Sequence, residues 1–236
     1  MGEMGHYGNY RTQNQCPRQD SNLCTRLRRA VLYPLSYGGA FDKIISDCSC
    51  QDSPVTNPSD FSPNSNQEAY FATGCFWGAE RRFWNLPGVV ATSVGYMGGK
   101  RPAPSYEQVC TGTTNHAETV QVVYDPNKIS YQRLLEEFWT MHDPTSLNKQ
   151  GGDIGTQYRS AIFTTSEEQM IAAINTREIY NDVLRKEGYG EIVTEIQDAK
   201  PHTYWLAEEY HQRYLEKNPN GYDCHSTTGV PFPKLS

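Results

Sequence analysis

The chain predicts an α+β fold: a mixed sheet flanked by helices, built on a ferredoxin-like split βαβ core and followed by an irregular C-terminal tail. Three observations predict it. From residue 68 onward, short β-branched and aromatic runs alternate with stretches of helical period. Glycine and proline fall between these runs rather than inside them. The first six elements follow the order β-α-β-β-α-β, in which two βαβ units interleave.

Each element has a local reason. Residues 68–73 read as a short strand, and 77–86 as a helix stopped by Pro87 and Gly88. "VVATSVGY" (89–96) reads as the second strand, followed by a Gly/Pro-rich loop to about 116. "AETVQVVYDP" (117–126) is a β-branched run ended by Asp-Pro. Ser130 then caps a helix that places Leu134, Leu135, Phe138 and Trp139 on one face. A loop through Gly151, Gly152 and Gly155 leads to a strand, "YRSAIFTT" (158–165). Ser166 with Gln169 has capping-box spacing and opens a long helix that ends at Gly188. One more strand (191–197) and one more helix (about 203–217) complete the domain.

Residues 1–66 have a different composition. They are rich in Gln, Asn, Ser, Asp and Gly, and "SPVTNPSDFSPNSNQ" (53–67) reads as a linker. The expected organisation is therefore a variable extension over 1–66, disordered or targeting, a catalytic domain over 67–217, and a flexible tail over 218–236. A net charge of -6 offers no basic surface for nucleic acid. No apolar run is long enough to cross a bilayer. The seven cysteines are an odd, scattered set without a zinc-type double pair, so they read as thiols of a reducing compartment, cytoplasmic or mitochondrial.

One of them sits at a corner. "TGCFWGAER" (73–81) places Cys75 between a strand and a helix start, with glycines on either side and Phe76 and Trp77 directly after it. A helix N-terminus directs its dipole and its unpaired N–H groups at such a thiol and favours the nucleophilic thiolate. The ordinary alternative is a small buried hydrophobe beside two core aromatics. His116 with Asp143 could also be read as a base and its orienter for a cysteine hydrolase, although no oxyanion hole is identifiable. A thiol-based redox sensor is the non-enzymatic alternative.

The chain resembles the type A peptide methionine sulfoxide reductases. The resemblance rests on "GCFWGAER", "VGYMGG" (94–99), "HAETVQVVYDP" (116–126), "FWTMHDPT" (138–145), "GTQYRSAI" (155–162) and "YLEKNPNGY" (214–222), which keep order and spacing from about 68 to about 222. It implies reduction of methionine (S)-sulfoxide, free or in proteins, with no cofactor. Cys75 would be the nucleophile, which becomes a sulfenic acid. Glu118, in "HAET", would be the acid. Tyr96 in "GYMGG" and Tyr158 in "TQYRS" would be phenols that hydrogen-bond the sulfoxide oxygen. Phe76 and Trp77 would form the apolar slot for the S-methyl group. Asp143, in "HDPT", would anchor the substrate backbone N–H while also ending a helix.

The tail "NGYDCHSTTGVPFPKLS" departs from relatives that carry two cysteines there. It holds one, Cys224, displaced by Asp223, with Pro231 and Phe232 where a second is expected. The resemblance therefore implies a two-cysteine cycle, Cys75 to Cys224, reset by thioredoxin in a monomeric enzyme. Cys110 reads as an inert loop thiol.

Overall fold

The computed structural model describes residues 65–223 and 226–234. All of them belong to the unit Pro58–Ser236. The readings made for residues 1–64 and for Cys224 fall outside the described residues.

The chain order is β1 (Gln67–Thr73), α1 (Phe76–Trp84), β2 (Val89–Met97), α2 (Tyr106–Cys110), β3 (Ala117–Tyr124) and α3 (Tyr131–Met141). There follow β4 (Lys149–Gln150), β5 (Asp153–Ile154), a 3-10 turn (Thr156–Tyr158), β6 (Ser160–Thr164) and α4 (Glu167–Lys186). The last elements are β7 (Glu195–Asp198), β8 (Trp205–Leu206) and α5 (Tyr214–Lys217). Strands β4 and β5 form a separate small hairpin, while the main sheet has the order β7-β6-β1-β3-β2-β8. Its pairs are antiparallel except β6 with β7. β3 lies between β1 and β2, and β1 between β3 and β6, which is the interleaving expected of a split βαβ core.

Strand alternation divides the sheet into two faces. Phe71, Val94, Tyr96, Val120, Val122 and Ile162 join Phe83 of α1, Leu134, Leu135, Phe138 and Trp139 of α3, and Tyr180 of α4 in the main core. Ala72, Met97, Ala117, Ala161 and Phe163 form a smaller cluster on the opposite face, against Tyr70 and Tyr204. Glu118, two residues before Val120, shares the helix-covered face. The register sets it opposite Tyr96.

The Ser130 and Ser166 caps form as expected, with the hydroxyls accepting from Arg133 N–H and Gln169 N–H. Two expectations are corrected. The stretch read as loop before 116 contains helix α2, opened by a complete Ser105/Gln108 capping box. The helix expected over 203–217 is instead the edge strand β8, a run of turns, and the four-residue α5. Polar side chains there bond across to the sheet rather than along a helix: Gln212 accepts from Val94 N–H and donates to the Val94 and Ala207 carbonyls. Arg213, at φ 53°, then turns the chain out of the right-handed helical region.

Several tail residues bond or pack against the domain. Tyr180 donates to the Val230 carbonyl at 2.7 Å, Tyr189 donates to the Thr228 carbonyl at 2.8 Å, and the Phe232 ring stacks on Tyr180.

Phe138 is fully buried, within 5.5 Å of the Phe71 ring and 4.8 Å of the Trp139 ring. Phe138→Ala should cost about 3–5 kcal/mol through lost burial and the cavity left behind. Urea unfolding of the variant beside the parent measures the loss.

Candidate active site

β1 ends at Thr73, and Gly74 turns the chain at φ +96°. A Cβ at this position would lie 2.7 Å from Gln150 Cγ, so glycine is required both for its dihedral and for space. The turn delivers Cys75 to the N-cap of α1, where it is 5% exposed. Phe76, Trp77, Tyr106, Glu118, Asp153, Tyr158 and Tyr222 join it around a cavity of about 70 Å³.

Glu118 approaches from β3. Its Oε2 accepts the Phe76 N–H, the first helical donor of α1, at 3.0 Å. The carboxyl is 2% exposed, and burial pushes its pKa up to about 8, opposed by the Phe76 N–H and reinforced by the charge of Asp153. At neutral pH it therefore holds a proton. Burial also drives the phenols of Tyr106 and Tyr158 above their ordinary value, with the charge of Glu118 a further cause for both, so they remain O–H donors. Desolvation raises the pKa of the Cys110 thiol.

Phe76 is buried, and Trp77 forms a wall whose indole N–H donates to His211 Nδ1 at 3.1 Å while its ring stacks on Tyr214 at 3.9 Å. Asp153 also lines the cavity. Its Oδ1 accepts the Tyr222 hydroxyl at 2.9 Å, whereas Oδ2 is buried with no hydrogen-bond partner among the described residues. An acceptor left in that state fits an incoming N–H.

Five of the residues singled out in the sequence are thus brought together: Cys75, Phe76, Trp77, Glu118 and Tyr158. Tyr96 and Asp143 are not among the lining residues. Tyr96 is fully buried under the wall, and its hydroxyl donates to Glu208 Oε2 at 2.8 Å. Asp143 spends both carboxylate oxygens within its own turn, accepting from Thr145 N–H and Oγ1 and from Ser146 Oγ. Tyr106 and Asp153, a phenol and a carboxylate, line the cavity where Tyr96 and Asp143 do not. The Ser105/Gln108 box was a signal for the helix that carries Tyr106, Tyr222 ends the quoted motif YLEKNPNGY, and Asp153 fell in the stretch read as loop. His116 is also elsewhere: Gly99 N–H donates to its Nδ1, and Nε2 contacts the Arg101 carbonyl, so it cannot serve Cys75 as a base. Among the described residues no cluster of His, Cys, Asp and Glu could hold a metal ion.

The family model for peptide methionine sulfoxide reductase matches residues 67–232. The chain belongs to the peptide methionine sulfoxide reductase family. It is 56% identical over 173 residues to the peptide methionine sulfoxide reductase MsrA of Salinispora arenicola, covering 72% of this chain and 78% of that protein. Among solved structures, the methionine sulfoxide reductase A of Corynebacterium diphtheriae matches with a TM-score of 0.66 at 46% identity, covering 72% of this chain and 84% of that one. Reduced Mxr1 from Saccharomyces cerevisiae matches with a TM-score of 0.61 at 36% identity, covering 72% and 94%. The chain is accordingly an enzyme that reduces methionine sulfoxide, and the cavity at Cys75 is the candidate site for that reaction.

The two aspartates should separate in experiment. Asp153→Asn should raise KM for a methionine sulfoxide peptide roughly tenfold, the scale of one hydrogen bond to a charged group, while the melting temperature stays near that of the parent. Asp143→Ala should lower the melting temperature and leave KM unchanged. Steady-state kinetics with thermal unfolding on both variants decides between them.

Proposed function

We propose that Cys75 reduces the S epimer of methionine sulfoxide, free or within proteins, with Glu118 as proton donor and Tyr106 and Tyr158 as hydrogen-bond donors to the departing oxygen. The observation that supports this most directly is the cavity itself, which sets a thiol at a helix N-terminus beside a carboxyl kept protonated by burial and two un-ionised phenols. The Cys75 thiolate attacks the sulfoxide sulfur. Glu118 protonates the oxygen of the adduct; the hydroxyl then passes to the Cys75 sulfur as the sulfoxide S–O bond and the new S–S bond both break, leaving methionine and a Cys75 sulfenic acid. The thiolate provides the two electrons that turn sulfoxide into thioether. Phe76 and Trp77 hold the S-methyl group, Asp153 accepts the substrate N–H, and the three oxygen-facing donors fix the third direction. With three substituents placed, the chiral sulfur presents one face.

The sulfenic acid then condenses with the Cys224 thiol, releasing water and leaving a Cys75–Cys224 disulfide, which a thioredoxin-like dithiol reduces. Tyr222 and Asp223 support this assignment: Tyr222 bonds Asp153 at the cavity, and Asp223 pairs with Arg81 on α1. The stretch directly before Cys224 is thereby held beside the helix that presents Cys75. Cys110, with its raised thiol pKa, is a poor resolving nucleophile. No helix among the described residues is long and apolar enough to cross a membrane. We place the enzyme in the cytoplasm, as a monomer.

Because Glu118 must carry its proton, the first-turnover rate should fall as pH rises through about 8. Glu118→Gln should slow that step by about two to four powers of ten and remove this limb of the profile. Rapid-quench assays on the resolved S and R epimers provide the measurement. An unchanged profile in the variant, or equal turnover of both epimers by the parent, would overturn the reading.

Cys75→Ser should abolish reduction even with excess dithiothreitol. Cys224→Ser should release one methionine per enzyme and then stall with thioredoxin, whereas Cys110→Ser should cycle normally. Counting methionine released per enzyme in each variant tests the relay, and a stall in Cys110→Ser would reassign it.

A further inference from the structure

The GYMGG tyrosine and a carboxylate far along the chain remain unexplained by the reaction as drawn. Glu208 lies in the run of turns after β8 and uses its two oxygens on two different elements. Oε1 accepts the Tyr106 N–H at 2.9 Å across 102 residues of sequence. Oε2 accepts the Tyr96 hydroxyl at 2.8 Å, and His211 Nε2 lies 3.8 Å from the same oxygen.

Tyr106 is the first residue of a helix only five residues long, whose capping box satisfies the N–H of Gln108. The Tyr106 N–H is taken by Glu208 instead. A hydrogen bond to an ionised carboxylate is roughly twice as strong as a neutral one. Glu208 stays ionised: desolvation opposes its charge, but the Tyr106 N–H, its own backbone N–H and the Tyr96 hydroxyl outweigh it, and its pKa falls below the ordinary value. The loop that carries it is tied down in turn. Ala207 N–H donates to the Val94 carbonyl, Gln212 spans Val94 and Ala207, and buried Glu80 accepts the Arg213 N–H at 2.9 Å. The Tyr106 ring packs on His211 of the same loop at 4.5 Å.

We propose that Glu208, held by Tyr96, is a positioning residue that fixes the Tyr106 phenol in the cavity wall. The inference rests on the reading of Tyr106 as a donor to the sulfoxide oxygen. Tyr96 then serves the reaction from beneath the wall, through Glu208, without touching substrate.

A double-mutant cycle on the first turnover, which needs no recycling reductant, tests this. Glu208→Gln keeps the shape but cannot accept from both the N–H and the hydroxyl, so the rate at saturating sulfoxide should fall about tenfold to a hundredfold, the scale of a misplaced catalytic group, with KM little changed. Tyr106→Phe should slow the same step. Adding Glu208→Gln to Tyr106→Phe should then change nothing further, because the group being positioned is already gone. Tyr96→Phe, which removes a single hydroxyl, provides the same cycle should Glu208→Gln lower the yield of folded protein. Equal losses in both backgrounds, or a parent-like rate in Glu208→Gln and Tyr96→Phe, would overturn the positioning role while leaving Tyr106 as donor. A parent-like rate in Tyr106→Phe would remove the phenol from the reaction and this role with it.

Discussion

The site depends on the hydrogen bond from the Phe76 N–H to the Glu118 carboxyl. It joins the N-terminus of α1 to β3, and both of the groups proposed to react, Cys75 and Glu118, are placed by that junction. Cys75 is where it is because α1 starts one residue later. Glu118 is where it is because strand alternation sends residues 118, 120, 122 and 124 to the helix-covered face, and a slip of one residue would turn the carboxyl to the other side. The Val120, Val122 and Tyr124 side chains buried beneath the helices fix that register. The apolar pattern of one strand thus sets the aim of the proposed acid, Glu118.

The same junction sets the proton. A carboxyl at a helix N-terminus would ordinarily ionise easily, since an N–H and the helix dipole both favour the anion. Here burial wins, and the pKa rises to about 8. The linkage has a definite sign. A folded-state pKa above the ordinary carboxylate value means that the fold prefers the protonated form. The contribution of Glu118 to stability is full below its unfolded pKa and is lost as pH rises through about 8. The protonation that the reaction needs and the one that the fold prefers coincide, so an acid can be kept inside the domain without a cationic partner.

Most of the domain was legible because its signals are local. Ser130 and Ser166 announce their helices, Pro87-Gly88 ends α1 and Gly188 ends the helix that Ser166 opens, and the β-branched run at 117–124 can hardly be anything but a strand. The corner at Gly74 and Cys75 was readable for the same reason. What could not be read were choices made by partners far away in sequence. "GYMGG" and "HDPT" each offer a residue of suitable type, yet a phenol on the helix-covered face of β2 meets Glu208 more than a hundred residues on, and an aspartate ending α3 meets Thr145 and Ser146 first. Tyr106 and Asp153 supply the same chemistry from a short helix and a two-residue strand, elements too brief to show a period.

The segment after β8 shows why helical spacing alone misled. Its composition suits a helix, but a helix needs its polar groups to be content with solvent or with each other. Glu208, Gln212 and the Arg213 N–H instead find partners on Tyr106, Val94 and Glu80, all inside the domain. Each such bond satisfies a group that would otherwise be buried unpaired, and leaving such groups unpaired costs more than the propensity of a few helical residues returns. The chain therefore unwinds there into turns, and that unwinding allows one short segment to reach α1, β2 and α2 together. A continuous helix would present one face to one neighbour. The irregular segment touches three, and these carry the nucleophile, Tyr96 beneath the wall, and the phenol in it.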